Sequence, residues 1–239
     1  MTPLVRIAAA GDIHASEAHR RRLTQAFEDV AGRADLVLLA GDLTTFGLPE
    51  EASVLAEASR AAAPLPVVAV LGNHDYHSAQ AAEVADALAE GGIIVLERSH
   101  LILDLDSVEV GIAGTKGFVG GFEGAEIPDF GEPILREVYA ETSLEVQALH
   151  EALEAIAGCQ RRFVLLHYAP TGDTVVGEPP GIWAFLGSRR LAGPIGAHRP
   201  DAVFHGHAHH GTQHACIGEV PVWNVARSVI DEDFAIVEL

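Results

Sequence analysis

Basic side chains are scarce in this chain: 15 Lys and Arg stand against 34 Asp and Glu, a formal charge of −19 at pH 7. So acidic a surface repels nucleic-acid phosphates and anionic membranes, so neither a nucleic-acid polymer nor a membrane is an expected partner. Cysteine is scarce too. Cys159 and Cys216 make no disulfide framework and read as thiols in a reducing compartment. No apolar run reaches membrane-spanning length. The opening run stops at Gly11-Asp12-Ile13-His14, too short for a signal peptide, and no small-residue cleavage pattern follows. The expected location is therefore cytoplasmic. The first strand is not followed by a Gly-x-Gly-x-x-Gly fingerprint, and no P-loop occurs, which excludes the common nucleotide-binding α/β modules. Without a linker or an internal repeat, residues 1–239 are expected to form one domain, long enough to bury a large core.

What is present is an ordinary globular composition, 49% hydrophobic and 21% charged, arranged as short apolar runs alternating with amphipathic stretches. Leu4 to Ala10, Leu36 to Ala40 and Val67 to Leu71 read as buried strands. Between them Leu23, Ala26, Phe27 and Val30 recur at helical spacing, and Pro49 opens a helix carrying Val54, Leu55 and Ala58 on one face. This rhythm predicts parallel strands joined by right-handed crossovers. Further on, Leu101 to Leu105 and Val108 to Ala113 flank a hairpin turn at Asp106-Ser107. Residues Gly114 to Pro133 are rich in glycine and aperiodic, the mark of a functional loop. Thr142 and Glu145 fit a capping box that would start the next helix. Strands around Phe163 and Val203 and a β-rich tail follow. The expected architecture is α/β, with two packed mixed β-sheets flanked by helices.

Five of the apolar runs end in a polar cluster on their C-terminal side. The clusters are Gly11-Asp12-Ile13-His14, Gly41-Asp42, Gly72-Asn73-His74-Asp75, His167 and His205-Gly206-His207-Ala208-His209-His210. In α/β sheets ligands bind at the carboxyl ends of strands, so these runs would deliver aspartate, asparagine and histidine to one edge. Imidazole and carboxylate together suit first-row divalent cations, and a carboxylate can bridge two of them. A closely spaced pair of cations can clamp a phosphoryl group.

These motifs, in this order and spread over residues 11–211, resemble those of the calcineurin-like metallophosphoesterase superfamily. The resemblance implies a four-layer α/β/β/α sandwich and a centre of two divalent ions, Mn, Fe or Zn. Position by position, it implies that Asp12, His14 and His209 hold one ion and Asn73, His167 and His207 the other, with Asp42 bridging. It implies in-line attack on phosphorus by a metal-bound hydroxide, with His74 assisting the leaving group and Asp75 orienting His74 or supporting the metal shell. One departure stands out. Where many members continue the second motif as Gly-Asp-x-x-Asp, this chain has Thr45. Cyclic-nucleotide specificity is therefore not assigned.

The resulting expectation is a metal-dependent phosphatase or phosphodiesterase acting on a small phosphoester, with a phosphoprotein as a further possible substrate. The alternative is a non-catalytic protein-binding scaffold on the same fold, against which an intact His74 and a full ligand set both argue. His205-Gly-His207-Ala-His209-His210 also resembles the His-x-His-x-Asp-His cluster of metallo-β-lactamase-like enzymes, but His209 stands where Asp is required. His205 and His210 read as packing or surface residues. Lys116 and Phe118 in one loop, and Trp183 and Phe185 in another, are candidates to wall the substrate cleft.

Overall fold

The structure, a computed structural model, describes residues 4–239; Met1, Thr2 and Pro3 of the opening run lie outside them. The first part winds as β1 (Arg6–Ala10), α1 (Arg20–Val30), β2 (Leu36–Ala40), α2 (Pro49–Ser59), β3 (Val67–Val70), α3 (Ala81–Glu90) and β4 (Ile93–Val95). Its strands pair in parallel, with Ile7 opposite Leu36, Val37 opposite Val67 and Val67 opposite Ile93. The run Leu36-Val37-Leu38-Leu39-Ala40 is continuously apolar because β2 is covered on both faces. Val37 and Leu39 pack under the helices with Phe27, Leu55 and Leu88. Leu36 and Leu38 face the other way, into a core shared with the second sheet.

That sheet begins with β5 (Ser99–Leu105) and β6 (Val108–Gly114). Asp106 and Ser107 between them both take positive φ, 49° and 73°, as a tight two-residue hairpin turn requires. A short ribbon of β7 (Gly121–Phe122) and β8 (Ala125–Glu126) precedes α4 (Pro133–Ala155) and β9 (Arg161–Leu165). The chain continues through α5 (Trp183–Leu186), α6 (Ala192–His198), β10 (Ala202–His205), β11 (His214–Ile217), β12 (Val220–Asn224), α7 (Arg227–Ile230) and β13 (Ala235–Glu238). The sheet orders are β13-β1-β2-β3-β4 and β11-β12-β10-β9-β6-β5. Both are mixed, since β13 runs antiparallel to β1, and β5 and β11 run antiparallel to their neighbours. Between the sheets Leu38, Val68 and Val70 meet Ile112, Phe163 and Phe204. Outside the second sheet, Leu149, Leu153 and Ile195 cover Val164 and Val203. The layers are thus α/β/β/α.

The expected capping box is not one. α4 starts at Pro133, where the missing N–H of proline costs nothing, and Thr142 lies inside the helix. The Thr142 hydroxyl donates to Val138 O at 3.1 Å and to Val119 O at 2.6 Å. The Glu145 carboxylate accepts the Gly117 N–H at 2.9 Å, the Thr115 hydroxyl and Arg98 Nε at 2.9 Å. Both residues moor the 115–119 segment onto the helix, a tertiary duty whose spacing imitates a local signal. The first turns of α4 were illegible because Ile134 and Leu135 there are exposed rather than periodic and inward.

Candidate metal centre

The polar clusters leave the carboxyl ends of β1, β2, β3, β9 and β10, so both sheets contribute to one rim. Main-chain bonds tie the rim together: Asp12 N–H donates to Gly41 O at 2.9 Å, His14 N–H to Asp42 O at 3.0 Å, and Gly206 N–H to His167 O at 3.2 Å. Asp12, His14, Asp42 and His207 all take positive φ, between 48° and 69°. Such backbone costs of the order of 1 kcal/mol or more per residue outside glycine and persists only where the surroundings enforce it. Glycine is required beside these residues for contact reasons. A Cβ on Gly72 would overlap the Asp42 carboxylate, and one on Gly206 would overlap that of Asp12.

Two groups of donor atoms form at the rim. Asp12, His14, Asp42 and His209 make one; Asp42, His167 and His207 make the other, each with its atoms within 4.8 Å of one another. Asp42 belongs to both. Asn73 joins the second, its Oδ1 lying 2.9 Å from His167 Nε2. His209 Nε2 lies 2.8 Å from Asp12 Oδ1, and the other oxygen of Asp12 accepts the His207 N–H at 2.9 Å. His14 and His74 stack edge to face at 4.6 Å, which sets His74 at the border of the cluster.

Carbonyl acceptors settle the imidazole tautomers. His167 Nδ1 donates to Ala40 O at 2.9 Å, His207 Nε2 to Phe185 O at 3.1 Å and His74 Nδ1 to Thr45 O at 2.8 Å. Since a carbonyl can only accept, the opposite ring nitrogen of a neutral imidazole is left with a bare lone pair, the state a metal ligand needs. Bare His167 Nε2 then confronts Asn73 Oδ1, two acceptors converging on one point. The charges tell the same story. Burial alone would raise the Asp12 carboxyl, but the His209 hydrogen bond, the charges of His167 and His209 and the His207 N–H hold it down at about 2. Asp42 is raised, by burial and by the neighbouring Asp12 charge. Burial lowers His14 and His167, and takes His207 to about 4. His209 alone is raised, by its bond to Asp12; two crowded carboxylates among imidazoles that burial mostly disfavours in the charged form are a donor set that divalent cations would suit.

Asp75 is fully buried and does not hydrogen-bond His74. It accepts from Leu43 N at 3.1 Å, Thr44 N at 2.8 Å, Thr44 Oγ1 at 2.6 Å and Gly72 N at 2.8 Å. It splints the loop after Asp42 to the loop carrying Asn73 and His74. Asp75→Ala should therefore orphan several buried donors and cost about 3 kcal/mol or more, read as a drop in Tm. His205 is buried as well, its Nδ1 facing Gly206 O at 2.8 Å and its Nε2 facing Thr174 Oγ1 at 2.9 Å. Burial takes its pKa to about 4. In the unfolded chain it protonates near 6.5, so the unfolded state binds more protons between those values. The His205 contribution to stability should be complete above pH 6.5 and fall by on the order of 3 kcal/mol as the pH drops toward 4, read as the difference between metal-stripped wild type and metal-stripped His205→Asn in denaturant titrations. The main-chain N–H of His210 donates to Glu178 at 2.7 Å, a loop tether.

Of the residues expected to wall a cleft, Lys116 and Phe118 line a cavity of roughly 590 Å³ that Asn73 also borders. Trp183 and Phe185 do not line it. The Trp183 indole donates to Glu178 O at 3.0 Å, and Phe185 contributes its carbonyl to His207. The carbonyls of Ala40, Thr45 and Phe185 had no signal in the sequence, since every residue carries one.

Two groups of donor atoms that could hold cations, sharing a carboxylate at the rim of a four-layer sandwich, fit the class of hydrolases that use paired metal ions. The sequence profile of the calcineurin-like phosphoesterases matches residues 5–211, and the chain belongs to that family. It is accordingly a metal-dependent phosphoester hydrolase of a dimetal-dependent family. No curated protein matches it by sequence. Among solved structures, the phosphopantetheinyl hydrolase PptH of Mycobacterium tuberculosis is similar with a TM-score of 0.69 at 13% identity, covering 99% of this chain and 97% of that one. The Plasmodium protein GAP50, described as the anchor in the inner membrane complex, is similar at 0.63 and 11% identity, covering 99% and 81%. Purple acid phosphatase PPD1 from yellow lupin seeds follows at 0.50 and 15%, covering 90% and 38%. These likenesses establish the fold alone, and the substrate and the roles of individual residues are left to be argued from the site. Among the described residues, no helix is long and apolar enough to cross a membrane.

Proposed function

We propose that the chain hydrolyses small organic phosphoesters, with Asp12, His14 and His209 holding one divalent cation, Asn73, His167 and His207 holding a second, and Asp42 bridging them. The sharing of Asp42 by two clustered donor groups carries this reading. First-row dications such as Mn, Fe or Zn suit such imidazole and carboxylate donors. When bound, they supply Lewis acidity and charge neutralisation at the phosphoryl oxygens.

The chain's own groups do the rest. The Thr45 carbonyl accepts from His74 Nδ1, so Nε2 is the nitrogen left facing the site, and the ring acts as the acid in its doubly protonated form, passing the Nε2 proton to the leaving oxygen. The His74 side chain is 42% exposed, which leaves it within reach of substrate, while Asp42 beside it is 1% exposed. Thr45 thus orients the imidazole through its main chain, although no carboxylate occupies that position. The His74 N–H also donates to Asp42 Oδ1 at 2.8 Å, tying the proton donor to the bridging carboxylate. The charge of −19 favours a small phosphoester over a nucleic-acid polymer.

Purified protein assayed with p-nitrophenyl phosphate and bis-p-nitrophenyl phosphate, with Mn²⁺, Fe²⁺ or Zn²⁺ and metal analysis, should show two bound ions per chain and turnover of at least one ester. Absence of turnover with every ion, alongside capture of a partner protein, would replace this reading with the scaffold.

A further inference from the structure

The cavity beside the metal centre contains a charge that the chemistry described so far does not use. Lys116 Nζ stands 4.4 Å from the ring centroid of Phe118, 5.2 Å from that of Tyr168 and 5.4 Å from that of Tyr76. Its one hydrogen bond is to Gly117 O at 3.2 Å, and among the described residues no carboxylate lies within ion-pair distance of it. The cavity's other charges are one arginine, Arg98, and three carboxylates, Glu97, Glu141 and Glu145, and none of the carboxylates is within ion-pair distance of Lys116. Arg98 pairs with Glu145 at 2.8 Å and with Glu141, and Glu97 accepts the Tyr76 hydroxyl at 2.7 Å. The three aromatic faces shield the ammonium from water but supply no acceptor oxygen to its remaining N–H groups.

The lysine is also rigidly coupled to the centre. Its carbonyl accepts the N–H groups of His167 and Tyr168, each at 3.0 Å. The Tyr168 ring packs on the His207 ring at 4.6 Å, and Asn73 belongs both to the cavity wall and to the second donor group.

We infer that Lys116 and the cavity before it form a substrate subsite for a second anionic group, a phosphate or a carboxylate, borne by the phosphoester whose reacting phosphoryl sits at the rim. Lys116 is then the residue that selects among phosphoesters. This rests on the phosphoesterase reading. A cationic ligand is disfavoured, because the ammonium of Lys116 already occupies the positive place among the three rings.

Two measurements separate the subsite from the hydrolase. In the first, phenyl phosphate, 3-carboxyphenyl phosphate and ADP are compared as substrates of metal-loaded wild type, Lys116→Met and Lys116→Arg. Lys116→Met should raise KM for a substrate with a second anion about tenfold more than for phenyl phosphate, and Lys116→Arg should restore part of that preference. The carboxylate and diphosphate arms show which anion the subsite takes. In the second, binding of inorganic pyrophosphate and of orthophosphate is measured by calorimetry without turnover. Wild type should prefer pyrophosphate, and Lys116→Met should lose that preference with its metal content intact. Equal losses on all three substrates, together with an unchanged pyrophosphate preference, would overturn the subsite while leaving the hydrolase standing. Lys116-dependent pyrophosphate binding in a protein that hydrolyses none of the esters would do the reverse.

Discussion

Asp42→Asn is expected to strip the protein of both cations and lower kcat/KM roughly a thousandfold, the several kcal/mol that charge stabilisation by metal ions contributes. Among the described residues Asp42 is the donor common to both groups, so its replacement is the one expected to weaken both ions at once. The amide keeps the acceptor for the His74 N–H but loses the anionic charge that a bridging ligand needs. The metal-stripped variant should nevertheless melt no lower than metal-stripped wild type. Burial and the Asp12 charge raise the Asp42 pKa above its unfolded value. The folded state therefore binds more protons above that unfolded value, and the ionised carboxylate opposes folding at neutral pH. Mass-spectrometric metal analysis and calorimetry on the same samples check both halves. Wild-type metal content in Asp42→Asn would sink the bridging role.

His74→Ala should lower kcat by about 10²- to 10⁴-fold while both cations remain, as expected for the loss of a general acid. Alanine retains the main-chain N–H that donates to Asp42, so the donor groups keep their support. The loss should depend on the leaving group. Nitrophenolate departs readily without a proton, whereas an alkyl alcohol does not, so the variant should be impaired much more on an alkyl phosphate than on p-nitrophenyl phosphate. Equal impairment on both would mean that His74 acts on binding rather than on proton delivery.

The Asp75 and His205 predictions test the frame instead. Asp75, next in sequence to the proposed proton donor His74, serves by accepting bonds: its oxygens hold Leu43, Thr44 and Gly72, the residues flanking Asp42 and Asn73. The resemblance implied that Asp75 orients His74 or supports the metal shell. Its carboxylate turns inward and makes no hydrogen bond to the His74 side chain, because the buried N–H groups of the loops carrying Asp42 and Asn73 have to be satisfied.

Much of the fold was legible because its signals are local. Continuous apolar runs such as Leu36 to Ala40 demand burial on both faces, and Pro49 and the Asp106-Ser107 turn mark ends by their own backbone preferences. The start of α4 was not legible, because its first turns face outward and Thr142 and Glu145 answer to the 115–119 segment. At the centre, the sequence by itself determined the donor chemistry: aspartate, asparagine and histidine, each after an apolar run and each beside the glycine or turn that lets the chain bend. Only the tertiary structure decided that Asp42 falls within both donor groups, which carbonyl holds each imidazole, that four rim residues are forced to positive φ, and that Lys116 faces a cavity without an ionic partner. The reason is physical. Residue type and burial are written locally, but distances between side chains on different strands depend on how two twisted sheets pack, and that packing is set by the whole core at once.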